Sequence, residues 1–447
     1  MIFKKKKSGK MPRSHMAIPW HNYIISPVDV DARDSLISEK ASIIGRVGAI
    51  MLSCGTSTWR VRDSMATIAE HLGVTCVAEI GIVSINYTCI DERKSHTQAI
   101  SLEGVNINTA RLHKITDFVE DFERKHLGAS ISHMHDILDS IQKMKYSHSI
   151  WVLTAAAAFA CGSLAFLLGA GIWEIICVFL AAAAGQFIRK IITDRGLSLF
   201  IIVGAAAAAS CAVYAGTMKL AELLFSVPPH NGAGYICAVL FLVPGFPFIT
   251  SMLDFAKLDM FSGLERLMYS IIVMSVATMC AWASALIFGL EPQGLTGLEV
   301  SLILQIILRL AASFAVVFGF SMMFNSTYRM AAVAGLVGMV SNVIRIELIE
   351  LLRVPIVIAA FIGALIAGLA ATPITKKTGY PRVSITIPSV IASVPGFVIY
   401  EAVYNIGTYN AGAGLVALVK AGAIIFAVGL GIIFARFISD PQFRHRD

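Results

Sequence analysis

Long apolar runs occupy the C-terminal two thirds of the chain. From about residue 150 onward, stretches of roughly 20 mainly apolar residues alternate with short polar or glycine-containing segments. A helix of this length spans the hydrocarbon core of a bilayer, so each stretch reads as a membrane span. The pattern predicts ten transmembrane helices, at residues 150–170, 172–188, 197–216, 235–252, 267–289, 301–324, 331–347, 354–372, 383–403 and 413–435.

In the first 150 residues, apolar residues recur instead at the spacings typical of amphipathic helices and strands in a soluble domain. Apolar residues recur at helical spacing near residues 36–51, 61–72, 112–122 and 131–144. Residues 83–89 alternate between apolar and polar and predict a half-buried strand, and a second strand is expected near residues 97–102. We therefore expect a small α/β domain over residues 34–149, preceded by a disordered tail over residues 1–33.

The distribution of charged residues supports the division into a soluble and a membrane domain. The first 150 residues hold 35 of the 65 charged side chains, although the chain has 447 residues. With 56% hydrophobic residues and a mean hydropathy of +0.74, the chain is not a cytosolic enzyme, a disordered chain or a small disulfide-stapled secreted domain. The net charge of +7 is spread over loops, which favours anionic lipid headgroups over nucleic acid as a partner.

Basic residues also indicate the orientation in the membrane. If the N-terminal domain is cytoplasmic, an even number of spans places both termini on the cytoplasmic side. Twelve Lys and Arg residues then fall in regions assigned to the inside and three in regions assigned to the outside. This asymmetry follows the positive-inside rule, so we expect a multi-pass protein of the plasma membrane with both termini in the cytoplasm.

Landmarks in the first five spans recur in the last five. An alanine-rich run ending in glycine occurs at residues 181–185 and again at 331–335, and Val-Pro-Gly-Phe occurs at 243–246 and again at 394–397. Five spans is an odd number, so the second half enters the bilayer from the opposite side. The sequence therefore predicts a 5+5 inverted repeat, with halves at residues 150–290 and 301–438, as in many alternating-access transporters.

The repeated Pro-Gly pair predicts a break in the fourth and ninth spans. Proline removes a backbone donor, and the freed helix ends near the midplane can bind a substrate or can simply form a packing kink. Both interpretations remain open at this point. The candidate substrate-binding residues are Pro244, Gly245, Thr250, Ser251, Arg309, Pro395 and Gly396.

Ionisable residues inside apolar spans are costly and are therefore candidates for function. Asp254 and Glu401 follow the two breaks and are candidate proton-coupling groups, while Arg309 and Lys420 lie within the sixth and tenth spans. Two structural alternatives exist, an ion pair between Arg309 and Glu401, and extension of Asp254 and Lys420 to the headgroups.

Motifs of catalysis and cofactor binding are absent from the sequence. It contains no H-E-x-x-H, no G-x-x-x-x-G-K-[ST], no G-x-G-x-x-G and no C-x-x-C, so we expect neither an enzyme nor a bound metal or cofactor. Hydroxyls at residues 56–58 are expected to cap a helix rather than act as nucleophiles. We expect the histidines His126, His133 and His135 to lie on a solvated helix surface rather than bind a metal. Uphill transport would then require an ion gradient or the membrane potential.

From Ser35 onward the sequence resembles the threonine/serine exporter family. The soluble part matches at residues 55–61, Gly-Thr-Ser-Thr-Trp-Arg-Val, and at residues 69–73, Ala-Glu-His-Leu-Gly. The membrane part matches at residues 242–247, Leu-Val-Pro-Gly-Phe-Pro, followed by Asp254, Gly263, Leu264 and Arg266, and at Pro388 with residues 394–397.

This resemblance implies export of threonine and serine, with protons as the coupling ion, from a ten-span protein with a cytoplasmic N-terminal domain. Some two-subunit relatives are associated with dicarboxylates such as succinate, so a dicarboxylate exporter is the first alternative. A membrane sensor or scaffold is the second. Small residues in the spans also make a homo-oligomer plausible.

Overall fold

The computed structural model describes residues 18–25, 31–92, 94–144, 148–225, 233–290, 292 and 301–444. The chain forms two compact units, residues 1–107 with 114–144, and residues 108–113 with 145–447. Residues 1–17 and 26–30 of the expected tail lie outside the described residues. The described part of that tail includes one 3-10 turn, Trp20–Tyr23, and a second turn, Ala32–Asp34, begins within it.

The soluble unit combines helices with an antiparallel sheet. Its elements are α1 (Ile37–Ser53), α2 (Thr58–His71), β1 (Thr75–Ile80), β2 (Ser84–Asp91), β3 (Lys94–Ser101), all but the first turn of α3 (Thr109–Glu120), and α4 (Ile131–Gln142). The strands pair in the order β1-β2-β3. The four predicted helices and two predicted strands are confirmed. Strand β1 was not predicted, because two of its three inward side chains, Cys76 and Ala78, are small and the apolar Val77 between them is exposed.

Helix α1 forms the centre of this unit. It packs against α2, α4 and the strands β2 and β3. Gly45 permits this packing, since a Cβ there would lie 2.2 Å from the hydroxyl of Tyr87. That hydroxyl donates to the carbonyl of Ala41 over 2.8 Å and so ties the middle strand to α1.

A buried polar network joins α1 to α4. Arg46 donates to Nδ1 of His135 over 3.1 Å, and Nε2 of His135 lies 3.0 Å from Oγ of Ser42. Because a guanidinium only donates, Nδ1 is the acceptor and the ring proton is on Nε2. Arg46 also donates to Asp139 and, over 3.0 Å, to Gln142.

Protonation in this network follows from its surroundings. Burial, reinforced by the charge of Arg46, lowers the pKa of His135 to about 3. Hydrogen bonds from Arg46 and Lys143 lower the pKa of Asp139. The expectation of a solvated surface is wrong for His135, which is fully buried, although His133 two residues earlier is exposed.

The described residues of the membrane unit form eight continuous helices long and apolar enough to cross a bilayer. They are α5 (Ile150–Leu167), α6 (Ile172–Asp194), α7 (Leu199–Phe225), α10 (Met260–Phe288), α11 (Leu302–Met323), α12 (Tyr328–Glu350), α13 (Ile356–Thr378) and α16 (Ala411–Ser439).

Two further spans are bent. The first combines α8 (Gly234–Val239) and α9 (Gly245–Ala256), and the second combines α14 (Arg382–Val390) and α15 (Gly396–Gly407). Their bends measure 57° and 45°, and they fall at the predicted fourth and ninth spans. The described residues therefore contain ten spans if each bent pair crosses once. A short helix, α17 (Pro441–Arg444), follows α16.

Each half of the unit repeats the same element order and the same neighbours. Three helices, one bent pair and a final helix of 29 residues follow one another twice. The contacts of α8 with α6 and of α10 with α7 and α9 recur as contacts of α14 with α12 and of α16 with α13 and α15. Helix α5 packs on its counterpart α11, and α9 contacts α16 as α15 contacts α10.

Candidate transport site at the broken helices

The two breaks follow the same backbone path. Val243 has φ −61° and ψ 122°, and Val394 has φ −70° and ψ 125°. The next residues, Pro244 and Pro395, have ψ values of 57° and 52°. A 3-10 turn precedes each break, and a helix of 12 residues follows it. The extended valine and the missing proline N–H together end one helix and start the next.

The glycines bring the two breaks into direct contact. A Cβ on Gly245 would lie 2.2 Å from Cδ1 of Ile391, in the turn before the second break. A Cβ on Gly396 would lie 2.8 Å from Leu240 and from Val243, at the first break. The contacts are reciprocal, so the small size of both glycines allows the broken helices to cross each other closely.

Thr250, Ser251 and Asp254 are fully buried on α9. The hydroxyls of Thr250 and Ser251 donate within the helix, to the carbonyls of Phe246 over 3.1 Å and Phe248 over 2.7 Å. Nε of Arg266, on α10, lies 3.0 Å from Asp254, and its Nη1 is 3.4 Å from the hydroxyl of Thr250. The structure thus places a buried hydroxyl and a buried ion pair one helical turn apart.

Arg309 lies away from the breaks, between α11 and α12. It donates to Glu347 over 2.8 Å and to Glu350 over 2.5 Å. The alternative that Arg309 pairs with Glu401 is therefore wrong. Two carboxylates satisfy the guanidinium. These partners could not be predicted from the sequence, because they lie 38 and 41 residues away.

Glu401 and Lys420 occupy neighbouring helices, α15 and α16. Glu401 is half-buried, and Lys420 is its one charged neighbour of electrostatic consequence among the described residues. Across the described ranges, no ion pair within 4.0 Å involves either side chain. Lys420 is exposed beside the exposed Leu418 and Val419, on a face of α16 that is otherwise apolar.

A contact between tyrosines was not predicted. The hydroxyls of Tyr235, on α8, and Tyr400, on α15, are 2.9 Å apart, and both side chains are buried. This hydrogen bond links the first half of one bent pair to the second half of the other. Single tyrosines in apolar spans carry no signal of their partners.

The hydroxyls at residues 56–58, which were expected to cap a helix, lie in the soluble unit. Thr56, Ser57 and Thr58 are each 0% exposed. Ser57 occupies the N-cap position of α2, although its side chain makes no capping hydrogen bond. Among the described residues, no group of three or more His, Cys, Asp or Glu side chains is arranged to hold a metal ion.

Family models match both parts of the chain. The model described as "Putative threonine/serine exporter" matches residues 42–288, more than half of the chain, and "Threonine/Serine exporter, ThrE" matches residues 309–438. The chain belongs to the threonine/serine exporter family. The first match begins in α1 and ends with α10, and the second runs from α11 to α16.

A curated relative gives the same assignment. The protein named "Probable threonine/serine exporter" from Mycobacterium tuberculosis is 24% identical over 418 residues, which cover 89% of this chain and 75% of the relative. No solved structure matches the chain. The chain is thus a multi-pass member of a transporter family, and both bent pairs lie within the matched regions.

Proposed function

We propose that the protein is a secondary active exporter of threonine and serine in the plasma membrane. Family membership supports a small amino-acid substrate. The observation that carries the proposal is the reciprocal contact of the two breaks through Gly245 and Gly396. Breaks at corresponding places in two halves of a transporter commonly form a substrate site near the midplane.

Alternating access by an inverted repeat is the mechanism that fits this arrangement best. The repeated element order, and contacts between the halves that come in reciprocal pairs, support a pseudo-twofold relation. Two halves that meet at their breaks can rock about that contact and open one side at a time. In this proposal the two five-helix halves are inverted, and both termini face the cytoplasm.

The helix starts at the breaks supply the proposed substrate site. Neither α9 nor α15 has a side-chain cap at its N-terminus, and both begin at the contact between the breaks. The N–H groups of Gly245 and Gly396 donate to the carbonyls of Val243 and Val394. The rest of the first turn and the helix dipole favour a carboxylate there. Thr250 and Ser251 lie within two turns of the first start. Arg309 has a structural role in this proposal, because two carboxylates already satisfy it.

Glu401 is the proposed proton-coupling group. Its carboxyl has no ion-pair partner within 4.0 Å in the described part of the chain, so it can gain or lose a proton without breaking a salt bridge. Protonation of Asp254 would instead leave the guanidinium of Arg266 without its counter-charge. Lys420 is the charged group that faces Glu401 from the adjacent helix.

The test is flux of labelled threonine, serine and succinate in proteoliposomes with an imposed pH gradient. We expect threonine and serine flux that collapses when the gradient is dissipated. Flux of succinate alone would assign the protein to dicarboxylate export. Absence of flux for all three substrates would contradict transport and favour a sensor or scaffold.

A further inference from the structure

Each half carries an amide and an arginine three residues apart in the second part of its second helix. Helices α6 and α12 are both 23 residues long, with Gln186 and Asn342 as their fifteenth residues and Arg189 and Arg345 as their eighteenth. We propose that Gln186–Arg189 and Asn342–Arg345 are two stations that bind the carboxylate of the transported amino acid. This inference rests on the proposed function and adds residues to its substrate path.

Packing places both pairs beside the breaks. A Cβ added to Gly185, next to Gln186, would lie 2.9 Å from Phe241, in the turn before the first break. A Cβ added to Gly338, one turn before Asn342, would lie 3.1 Å from the backbone of Ser389, near the second break. Arg189 follows about one turn beyond the first contact, and Arg345 about two turns beyond the second.

The second station is preorganised. Asn342 is buried, donates to Oγ of Ser313 over 2.8 Å and accepts from Nε of Arg345 over 3.0 Å. This engages Nε and fixes the plane of the guanidinium. Within the residues that the structure describes, no hydrogen bond or ion pair uses the two Nη atoms of Arg345. They form the fork that binds a carboxylate in a bidentate manner.

The first station also has an amide and a guanidinium, but no hydrogen bond joins these two side chains among the described residues. Gln186 is buried, and its Oε1 has no hydrogen-bond partner among the described residues. The guanidinium of Arg189 makes neither a hydrogen bond nor an ion pair there, and Tyr269 of α10 is the titratable group near it. An amide–arginine bond is thus formed in one half and open in the other, as expected when one side of a transporter is ready for substrate.

The energetics also favour a ligand. Both arginines are half-buried. Among the described residues, no ion pair within 4.0 Å involves Arg345. A guanidinium within a membrane unit is costly without a counter-charge or water, and a substrate carboxylate supplies that counter-charge.

The test compares threonine with its methyl ester, which lacks the carboxylate, as competitors of labelled threonine flux in proteoliposomes. For the wild type we expect the ester to compete roughly 10- to 100-fold less well, as for loss of a charge-assisted hydrogen bond. Arg345→Gln and Arg189→Gln should raise the KM for threonine by a similar factor and should remove most of this discrimination. Arg345→Lys should retain part of it.

Arg353→Gln, in the exposed loop after α12, is the matched control and should leave KM and discrimination unchanged. Thermal stabilisation of purified Arg345→Gln and Arg345→Lys by added threonine provides a second readout if a variant inserts poorly. Full ester discrimination in both glutamine variants would overturn the inference while wild-type flux upholds the exporter. Absence of wild-type flux for threonine, serine and succinate would instead remove the proposed function and this inference together.

Discussion

At the scale of single residues, the two intramembrane carboxylates near the breaks have opposite surroundings. Asp254 is 0% exposed and lies 3.0 Å from Nε of Arg266. Glu401 is half-buried, with no ion-pair partner within 4.0 Å among the residues described. Removing one partner of a buried pair leaves an uncompensated charge, whereas neutralising a lone carboxyl removes a cost. The two residues should therefore respond differently to the same chemical change.

We expect Glu401→Gln to yield stable protein whose threonine flux no longer depends on the pH gradient, because the amide cannot carry a proton. Asp254→Asn should lower stability by roughly 3–5 kcal/mol, the cost of breaking a buried pair. Flux at several imposed gradients, together with thermal unfolding in detergent, measures both effects. Gradient-dependent flux at the wild-type rate in Glu401→Gln would reject its role in coupling.

The contact between the breaks gives a second prediction at this scale. Gly396→Ala should destabilise the packed arrangement by about 1–3 kcal/mol and slow threonine flux, because its Cβ would overlap Val243 and Leu240. Adding Val243→Ala makes room and should restore part of the flux. Gly422→Ala on α16 is the control, since nothing lies within 4 Å of its added Cβ. Equal threonine flux in Gly396→Ala and Gly422→Ala would show that this contact does not limit transport.

The sequence predicted local chemistry well and partners poorly. Pro244 and Pro395 predicted the breaks, because a missing N–H acts at its own position. The partners of Arg309 and Asp254 required the tertiary fold, as did the mutual contact of the two breaks. Long-range pairs leave no periodic trace in a single sequence.

At the scale of elements, the buried network between α1 and α4 makes the soluble unit sensitive to acid. His135 is neutral when folded, and its pKa falls from 6.5 to about 3. Between these values the unfolded chain binds more protons, so stability is fully present above pH 6.5 and is lost as the pH falls toward 3. The lowered pKa of Asp139 acts in the same direction at still lower pH.

We therefore expect protection of α1 and α4 from hydrogen exchange in the full chain to decrease between pH 7 and pH 5, by roughly 2 kcal/mol. His135→Gln should flatten this dependence, since the amide does not titrate. His133→Gln is the control, because His133 is exposed on the same helix. An unchanged acid sensitivity in His135→Gln, after correction for intrinsic exchange rates, would assign the effect to other groups.

Prediction of elements also had a physical limit. Hydrophobic periodicity identified the helices of the soluble unit and strands β2 and β3. It missed β1, an edge strand in which two of the three inward residues, Cys76 and Ala78, are small and the apolar Val77 points outward. In the membrane unit, apolar length identified the spans, because a bilayer requires a minimum length whatever the packing.

At the scale of the whole molecule, the topology depends on how the bent pairs cross. A pair bent by 57° can span the bilayer or can enter and leave on one side. If the pair α8–α9 crosses, the start of α10 faces the cytoplasm; if it is re-entrant, the same residues face outward. Inverted halves require each bent pair to cross, so this segment tests the proposed architecture directly.

We expect a cysteine in place of Met260, at the start of α10 and 59% exposed, to resist a membrane-impermeant maleimide in intact cells and to react after permeabilisation. Tyr409→Cys, in the loop after α15 and 99% exposed in the parent residue, should react in intact cells if both pairs cross. The native cysteines are first replaced in both variants. Labelling of position 260 from outside would make the first pair re-entrant and exclude the inverted repeat, because the two halves would then no longer have opposite orientations.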